Sequence, residues 1–365
     1  MKKIKALISI ILILFISIQY ISAQTNLGRE QSDPKLNGWM QGFPPPQNKV
    51  ILAADGSFFN FPAMRYSICH IREFMPTKTV RASDRPITLP HSIDNNIDEI
   101  KFFTSDENKE MTWQESLDHN YVDGIVILHK GKVVYERYMG ELEPDGEHAV
   151  MSVSKTFAGT LGAMLVEEGT LDENKTAAEY VPELKNSAFG DATVRQILDM
   201  TTSLSYSEDY ANPKAEVWEF SSAGNPFPKP EGYTGAKNFY EYLQKVKKDK
   251  EHGVAFGYKT VNTDALGWII SRQTGKGIPE LLSEKIWKPL GCKYDAYYQI
   301  DASGIAFAGG GLSANLLDLA KFGEMIRNKG YFNGKQIIPL KVVEDIFAGG
   351  NKEAFAKAGY KTLGG

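Results

Sequence analysis

The chain has 365 residues, of which 42% are hydrophobic and 24% are charged. This composition is typical of a soluble globular protein and excludes a disordered, fibrous or multi-span membrane chain. The formal net charge of −4 disfavours nucleic-acid binding, because phosphate neutralisation dominates that kind of affinity. Two cysteines, Cys69 and Cys292, are too few for a disulfide scaffold or a cysteine-rich zinc site, and the sequence leaves open whether they pair.

The N-terminus has the pattern of an export signal. Three lysines lie within the first five residues, an apolar run covers 6–18, and the small residues Ser22 and Ala23 follow. This order predicts a signal peptide over 1–23, cleavage after Ala23, and a mature chain of 24–365 that is periplasmic or secreted. The alternative is an uncleaved anchor, although the run is short for a membrane span. No cysteine follows the run, so a bacterial lipoprotein is not expected.

The mature chain begins with residues that favour turns and continues with regular elements. The pattern over 24–120 predicts an irregular N-terminal segment that packs on the body of the protein. A β-hairpin is predicted next, with strands over 124–128 and 133–138 and a glycine in the turn. Apolar residues at helical spacing then predict a helix over 154–168.

The C-terminal half combines helices with glycine-rich turns. A helix is predicted over 263–274, with Gly275 ending it. The run Gly309-Gly310-Gly311 predicts a tight turn into a helix that Ser313 caps and that continues to about Lys329. Strands, then helices, then mixed structure together predict an α+β fold with a helical insertion.

Most common catalytic motifs are absent from the sequence. There is no G-x-S-x-G nucleophile elbow, no H-E-x-x-H zinc motif, no Walker loop and no C-x-x-C pair. The six histidines lack metal-ligand spacing, and a Ser–Asp–His triad that started from Ser152 would have to use His252. Nothing else in the sequence supports that triad.

The segment Ser152-Val153-Ser154-Lys155 offers a different nucleophile, at the start of a predicted helix. Residues three apart share a helix face, so the Ser152 hydroxyl and the Lys155 amine can come within hydrogen-bonding distance. The positive end of the helix dipole disfavours an ammonium there, and an unprotonated lysine can activate the serine without a histidine. The alternative is an N-cap serine beside a solvated lysine. The S-x-x-K spacing alone is weak evidence, because it recurs at Ser32–Lys35 in a predicted loop.

The surrounding sequence resembles the serine β-lactamase and penicillin-binding-protein superfamily. Within it, the chain is most similar to class C β-lactamases, family VIII esterases and 6-aminohexanoate-dimer hydrolases. Four segments carry this resemblance in chain order: Met151–Phe157, Thr193–Thr202, Phe256–Trp268 and Ala308–Gly323. Earlier segments at 38–46 and 70–76 resemble the 6-aminohexanoate-dimer hydrolases in particular.

The resemblance implies a fold and a set of site residues. It implies an antiparallel sheet flanked by helices over 121–365, with a mostly helical inserted subdomain at about 171–289. Ser152 matches the acylated nucleophile, Lys155 the neighbouring base, and Tyr258 the phenol that moves a proton between nucleophile and leaving group. No metal or organic cofactor is implied.

Two further residues are expected to contact substrate. Tyr210 resembles the loop tyrosine that closes over substrate in the 6-aminohexanoate-dimer hydrolases, and its alternative is an exposed loop aromatic. Thr260 stands where class C enzymes carry asparagine. That departure weakens a β-lactamase assignment, because the asparagine amide helps to hold the β-lactam side chain.

One expected element is missing from the sequence. The family carries a Lys/His-x-Gly or Gly-rich strand that supplies the second oxyanion N–H, beyond the helix that follows the glycine turn. Lys361-Thr362-Leu363 resembles it only superficially, because the leucine blocks the close backbone approach that glycine allows. The chain is therefore expected to be truncated at its C-terminus, without its closing strands.

The sequence thus predicts a serine hydrolase that cleaves a small-molecule amide or ester through an acyl-enzyme on Ser152. A β-lactamase or D-Ala-D-Ala carboxypeptidase with the same mechanism is one alternative. A catalytically silent protein that binds a cell-wall ligand is another. No nucleic acid and, after signal cleavage, no membrane partner is expected, and the oligomeric state is left open.

Overall fold

The computed structural model describes residues 27–105 and 108–360, so the predicted signal peptide and the Lys361-Thr362-Leu363 segment lie outside the described residues. None of the described helices is long and apolar enough to cross a membrane. The strands are β1 Thr77–Val80, β2 Lys101–Phe103, β3 Glu110–Thr112, β4 Gly124–His129, β5 Lys132–Tyr138, β6 His148–Ala149, β7 Leu204–Ser205, β8 Lys247–Lys248, β9 Ala296–Gln299, β10 Leu312–Ala314, β11 Tyr331–Phe332 and β12 Lys335–Gln336. The α-helices are α1 Arg29–Ser32, α2 Pro34–Asn37, α3 Met64–Ser67, α4 Ile71–Phe74, α5 Trp113–His119, α6 Ser154–Glu167, α7 Ala177–Tyr180, α8 Val194–Leu198, α9 Glu216–Gly224, α10 Phe239–Leu243, α11 Val261–Thr274, α12 Ile278–Leu282, α13 Leu316–Arg327, α14 Leu340–Ala348 and α15 Lys352–Lys357.

The chain folds as two compact units. The first comprises the described residues up to Phe74 together with His91–Gly146. The second comprises Met75–Pro90 and the described residues from Glu147 onward. Every predicted site residue therefore belongs to the second unit.

The predicted hairpin is confirmed as β4 and β5 of the first unit. The two strands pair antiparallel from Gly124 opposite Tyr138 to His129 opposite Lys132. The turn residues Lys130 and Gly131 have φ of 50° and 76°, a combination that favours glycine and matches the twist of a two-residue hairpin. The hairpin belongs to the first unit, which continues to Gly146.

The second unit contains, within the described residues, a four-stranded antiparallel sheet with the order β1-β9-β10-β6. β1 pairs with β9 from Thr77 opposite Gln299 onward, and β10 pairs with β6 at Ser313 opposite Ala149. Apolar residues of α6, α11 and α12 form a buried core together with β9 and β10. The α+β class with an antiparallel sheet is thereby confirmed. β1 lies in the segment predicted to be irregular. The local pattern did not reveal this strand because its partner, β9, is remote in sequence.

The predicted helices at 154–168 and 263–274 are confirmed as α6 and α11. Gly275, with φ of 70°, ends α11 in the left-handed conformation that glycine adopts without strain. At Gly162 of α6, a Cβ would lie 3.2 Å from the methyl carbons of Leu266 on α11. The missing side chain therefore lets the two helices pack closely, and these helices position most of the candidate site.

The prediction that Ser313 caps a helix is wrong. Ser313 lies in the buried strand β10, and the helix begins two residues later than predicted, at Leu316. The cap is Asn315, whose side-chain oxygen accepts the Leu317 N–H at 3.0 Å. Serine and asparagine are both good N-cap residues, and the pairing of β10 with two other strands decides between them.

The two cysteines are free. Cys292 is fully buried in the second unit, and burial raises the pKa of its thiol. Burial also raises the pKa of Cys69 in the first unit. Both therefore remain thiols at neutral pH, where thiolate chemistry is disfavoured.

Candidate active site

Ser152 lies in a 3₁₀ turn, Met151–Val153, that leads directly into α6. The Ser154 hydroxyl holds this turn: it donates to the Met151 carbonyl at 2.5 Å and accepts the Leu312 N–H at 3.0 Å. Met151 has φ of 45°, a sparsely populated conformation for a residue with a side chain. The buried Ser154 side chain thus fixes the turn, while Ser152 itself is exposed to solvent.

The Lys155 amine makes two short contacts. Its Nζ lies 2.9 Å from Ser152 Oγ and donates to the Gly309 carbonyl oxygen at 2.6 Å. The first contact is the one that the spacing of three residues on a helix predicts. The second reaches across 154 positions of sequence and fixes the direction of the amine.

Tyr258 lies beside the same amine. Its ring centroid is 5.0 Å from Lys155 Nζ, within range of a cation–π interaction, and the side chain is 45% exposed. Tyr258 precedes α11, which packs on α6, so helix packing brings the tyrosine to the serine and lysine. The structure therefore brings together all three predicted catalytic residues.

Gly309 is the close-packed point of the site. A Cβ at this position would lie 2.5 Å from Thr260 Cγ2 and 2.7 Å from Asp264 Oδ2, which no side chain could tolerate without displacement. Its carbonyl oxygen can therefore approach Lys155 only because the residue is glycine. The predicted glycine turn is confirmed in position, and its contact with the amine was not predicted.

Thr260 is buried, with 5% of its surface exposed, and its methyl group faces Gly309. Its main-chain N–H donates to the Glu208 carboxylate. The Thr260 side chain thus packs against Gly309, whose carbonyl contacts Lys155, and its predicted contact with substrate remains a prediction. Glu208, which connects Thr260 to the loop before α9, was not singled out from the sequence.

Tyr210 lies on that same loop and is 62% exposed. Its ring packs edge-on against Trp218 of α9, with centroids 5.9 Å apart. Partial burial raises the pKa of Tyr210, and the neighbouring Glu208 and Tyr258 raise it further. Tyr210 is thus within electrostatic range of Tyr258, while its role in closing over substrate remains a prediction.

Asp264 is a site residue that the sequence did not indicate. It lies in the first turn of α11, where an acidic residue is an ordinary feature of a helix N-terminus. In the structure its carboxyl is buried: Oδ1 accepts the Gly309 N–H at 3.3 Å, and Oδ2 has no hydrogen-bond partner among the described residues. Burial raises the pKa of Asp264 to about 7, against the opposing effect of Lys155.

His252 does not take part in a catalytic triad. Its Nδ1 accepts the Ser203 N–H at 2.9 Å, and its Nε2 contacts the Ala188 carbonyl and Asp191. Both ring nitrogens are thus engaged in structural contacts. Among the described residues, no group of histidine, cysteine, aspartate and glutamate side chains could hold a metal ion.

The arrangement is suited to attack by a hydroxyl on an acyl carbon. An exposed serine hydroxyl lies next to an amine that can take its proton, and the ring of a tyrosine lies with its centroid 5.0 Å from the same amine. Such a constellation can support nucleophilic catalysis with an amine, rather than a histidine, as the base.

Comparison with known proteins agrees with this geometry. The family model for Beta-lactamase matches residues 121–344. A 6-aminohexanoate-dimer hydrolase from Paenarthrobacter ureafaciens is 33% identical over 304 residues, which cover 82% of this chain and 74% of that protein. A Beta-lactamase from Yersinia enterocolitica is 23% identical over 167 residues, 46% of this chain and 36% of that protein.

The fold is also similar to that of a solved structure. A Bacillus anthracis protein provisionally assigned as a 6-aminohexanoate-dimer hydrolase superposes with a TM-score of 0.76 at 34% identity. The match covers 83% of this chain and 78% of that one. The similarity therefore extends over most of the chain. The residues matched by the family model, 121–344, include the candidate site.

Proposed function

Because the chain belongs to the Beta-lactamase family and is a serine hydrolase, we propose that it cleaves a linear amide or short-chain ester through an acyl-enzyme on Ser152. The observation that carries the proposal is the 2.9 Å contact between Lys155 Nζ and Ser152 Oγ. The Tyr258 ring, 5.0 Å from the same Nζ, supports it.

Acylation begins when Ser152 Oγ attacks the carbonyl carbon of the substrate. The hydroxyl proton passes to the Lys155 amine, and the carbonyl becomes a tetrahedral oxyanion. The Ser152 main-chain N–H, beside the N-terminus of α6, is one donor for that oxyanion. Lys155 then returns the proton through the Tyr258 phenol to the leaving nitrogen or oxygen, and the bond from the acyl carbon to the leaving group breaks.

Deacylation uses the same groups in reverse. A water molecule attacks the ester carbonyl of the acyl-enzyme and gives its proton to the Tyr258–Lys155 pair. The tetrahedral intermediate collapses, the acid leaves, and Ser152 Oγ recovers the proton. The balance requires only substrate and water.

The preference for a linear amide or ester rests on two observations. The relatives that match most of the chain are named for hydrolysis of the 6-aminohexanoate dimer, a linear amide. Thr260 also replaces the asparagine that class C β-lactamases use on the β-lactam side chain. β-Lactam or D-Ala-D-Ala peptide hydrolysis by the same mechanism is the second candidate, because the matching family model is that of Beta-lactamase.

Covalent labelling tests the proposal. A fluorophosphonate probe is expected to modify Ser152, identified by mass spectrometry of the labelled peptide. Ser152→Ala should abolish the adduct and reduce hydrolysis by on the order of 10⁴-fold or more. The control is Ser32→Ala at the other S-x-x-K segment, which should label normally. Absence of an adduct in the folded wild-type protein would instead favour a silent ligand-binding protein.

Three substrates separate the substrate classes. p-Nitrophenyl butyrate, the 6-aminohexanoate dimer and a chromogenic cephalosporin are compared by kcat/KM. The proposal predicts turnover of the ester or the linear amide in preference to the cephalosporin. A preference for the cephalosporin would favour the β-lactamase alternative.

We also propose that the protein is exported and is periplasmic or secreted. The lysine-rich start, the apolar run over 6–18 and the small residues ending at Ala23 support this proposal. N-terminal sequencing of the protein from the periplasm or medium should begin at Gln24. Recovery of an intact N-terminus from the membrane fraction would favour the uncleaved anchor.

A further inference from the structure

Asp264 is a buried carboxyl that is linked to the candidate catalytic lysine through the Gly309 peptide. It is a carboxyl on the first turn of α11, 3% exposed, with Oδ2 lacking any hydrogen-bond partner among the described residues. Burial of a carboxyl without full hydrogen bonding is unfavourable, so its presence here calls for an explanation other than stability.

A short chain of contacts joins this carboxyl to Lys155. Asp264 Oδ1 accepts the Gly309 N–H at 3.3 Å, and the carbonyl oxygen of the same glycine accepts from Lys155 Nζ at 2.6 Å. Asp264 Oδ2 lies so close to Gly309 that a Cβ there would be 2.7 Å away. The Asp264 carboxyl thus fixes the Gly309 peptide, and the carbonyl of that peptide fixes the Lys155 amine.

Other charged or titratable groups face Asp264 from the elements packed around it. Lys155 on α6 favours the carboxylate, whereas Glu208 on the loop before α9 opposes it. Three tyrosines are also within electrostatic range: Tyr206, Tyr240 and Tyr298. Among these named neighbours, Lys155 is the one that carries a positive charge when protonated.

We infer that Asp264 is a positioning residue for Lys155: it fixes the Gly309 peptide that orients the amine, and its negative charge stabilises the ammonium that forms when Lys155 takes the serine proton. The inference rests on the proposed function, because it assigns Lys155 the role of base. Asp264 itself touches neither Ser152 nor the expected position of the substrate.

Burial gives this charge a dependence on pH. The pKa of Asp264 is raised to about 7, chiefly by burial, and Lys155 acts in the opposite direction. The carboxylate therefore forms near neutral pH. Among the described residues, Asp264 is the carboxyl whose pKa is clearly raised.

The first test compares Asp264→Asn with the wild type in hydrolysis of p-nitrophenyl butyrate across pH. On the alkaline plateau, kcat should fall by about 10-fold with little change in KM, because the carboxylate no longer stabilises the ammonium that forms in the transition state. The midpoint of the acid limb should also move to lower pH, because no carboxylate favours the charged amine. Asparagine can still accept the Gly309 N–H, so the variant removes the charge and retains the shape.

Asp301→Asn is the matched control. Asp301 is 2% exposed and accepts main-chain N–H bonds from Ser303 and Ile305, without contact to Lys155. The control should leave both the plateau and the midpoint unchanged. If Asp264→Asn left the midpoint in place, or lost activity only as much as Asp301→Asn, the inference would be overturned and Asp264 would be structural.

A second measurement does not depend on the Asp264 variant being folded. Infrared spectroscopy of the wild type follows the C=O band of the protonated carboxyl, which should disappear with a midpoint near pH 7. Lys155→Met removes the cation, so that midpoint should rise. An unchanged midpoint in Lys155→Met would show that the two groups are not coupled.

These outcomes are distinct from failure of the proposed function. If fluorophosphonate does not label Ser152 in the wild type, the proposed function fails whatever Asp264 does. If the wild type is labelled normally and the Lys155→Met midpoint does not move, only the inference about Asp264 fails.

Discussion

The chain contains two S-x-x-K segments with different structures. At Ser152–Lys155 the chain runs continuously from a 3₁₀ turn into α6, and the lysine Nζ lies 2.9 Å from the serine Oγ. At Ser32–Lys35 the segment was predicted to be loop, but it contains the end of α1 and the start of α2. Asp33 lies between these helices and caps the second one, so the helical turn is interrupted.

The partners of the four side chains differ as well. Ser32 is buried and accepts from Arg65 at 3.0 Å, and Lys35 pairs with Glu143. Lys155 instead has a main-chain acceptor, the Gly309 carbonyl, that leaves it facing the exposed Ser152. The same residue spacing therefore brings the serine and the lysine into contact only where the helical turn is unbroken and where a distant segment supplies an acceptor for the amine.

The largest expected effect comes from removing Lys155, the lysine that contacts Ser152. Lys155→Met should reduce kcat/KM for p-nitrophenyl butyrate by about 10³-fold, because the general base is lost. Lys35→Met should leave kcat/KM unchanged. Equal kcat/KM values for Lys155→Met and Lys35→Met would contradict the distinction drawn between the two segments.

A smaller effect is expected from removing the buried serine hydroxyl of each segment, which is that of Ser154 in one and that of Ser32 in the other. Ser154→Ala removes the hydroxyl that bridges Met151 and Leu312, which should lower the free energy of unfolding by about 1–3 kcal/mol and also reduce kcat. Ser32→Ala loses a comparable buried network and should lower stability by a similar amount without changing kcat. Chemical denaturation and steady-state kinetics measure the two effects separately, and a fall in kcat for Ser32→Ala would contradict the comparison.

Helix packing beneath the active pair can be tested with two glycines of α6. Gly162→Ala places a methyl group 3.2 Å from Leu266 and should destabilise the protein by about 1–3 kcal/mol by overpacking. A methyl group added at Gly159 would meet no neighbouring part of the described structure within 4 Å, so Gly159→Ala should stabilise the helix by about 0.5–1 kcal/mol. Thermal denaturation distinguishes the opposite signs. Stabilisation by Gly162→Ala would show that the contact between α6 and α11 is loose.

The smallest effect is expected at the exposed lysine of the other segment. The hydrogen bond to Glu143 raises the pKa of Lys35, but both side chains are more than half exposed. Solvent screens such a pair, so Lys35→Met should change the free energy of unfolding by less than about 1 kcal/mol. A larger loss in urea denaturation would mean that this pair is coupled to the buried network around Ser32.

Local sequence patterns predicted much of the fold and the pairing of Ser152 with Lys155. The hairpin at β4 and β5 and the helices α6 and α11 follow from apolar periodicity and turn glycines, which act over a few residues. Tyr258 was predicted from the family resemblance, since no local spacing links it to Ser152. The prediction for Ser313 failed because strand pairing, which no local pattern records, overrode its preference for a helix cap.

The sequence by itself determined that Ser152 and Lys155 share one face, because residues three apart are neighbours both in a 3₁₀ turn and in an α-helix. Tertiary structure alone decided where the amine points and what charge lies beneath it. Gly309 and Asp264 reach Lys155 only after α6, α11 and the glycine turn have packed together. Contacts of that range depend on shape and burial summed over the whole core, and a short stretch of residues cannot encode them.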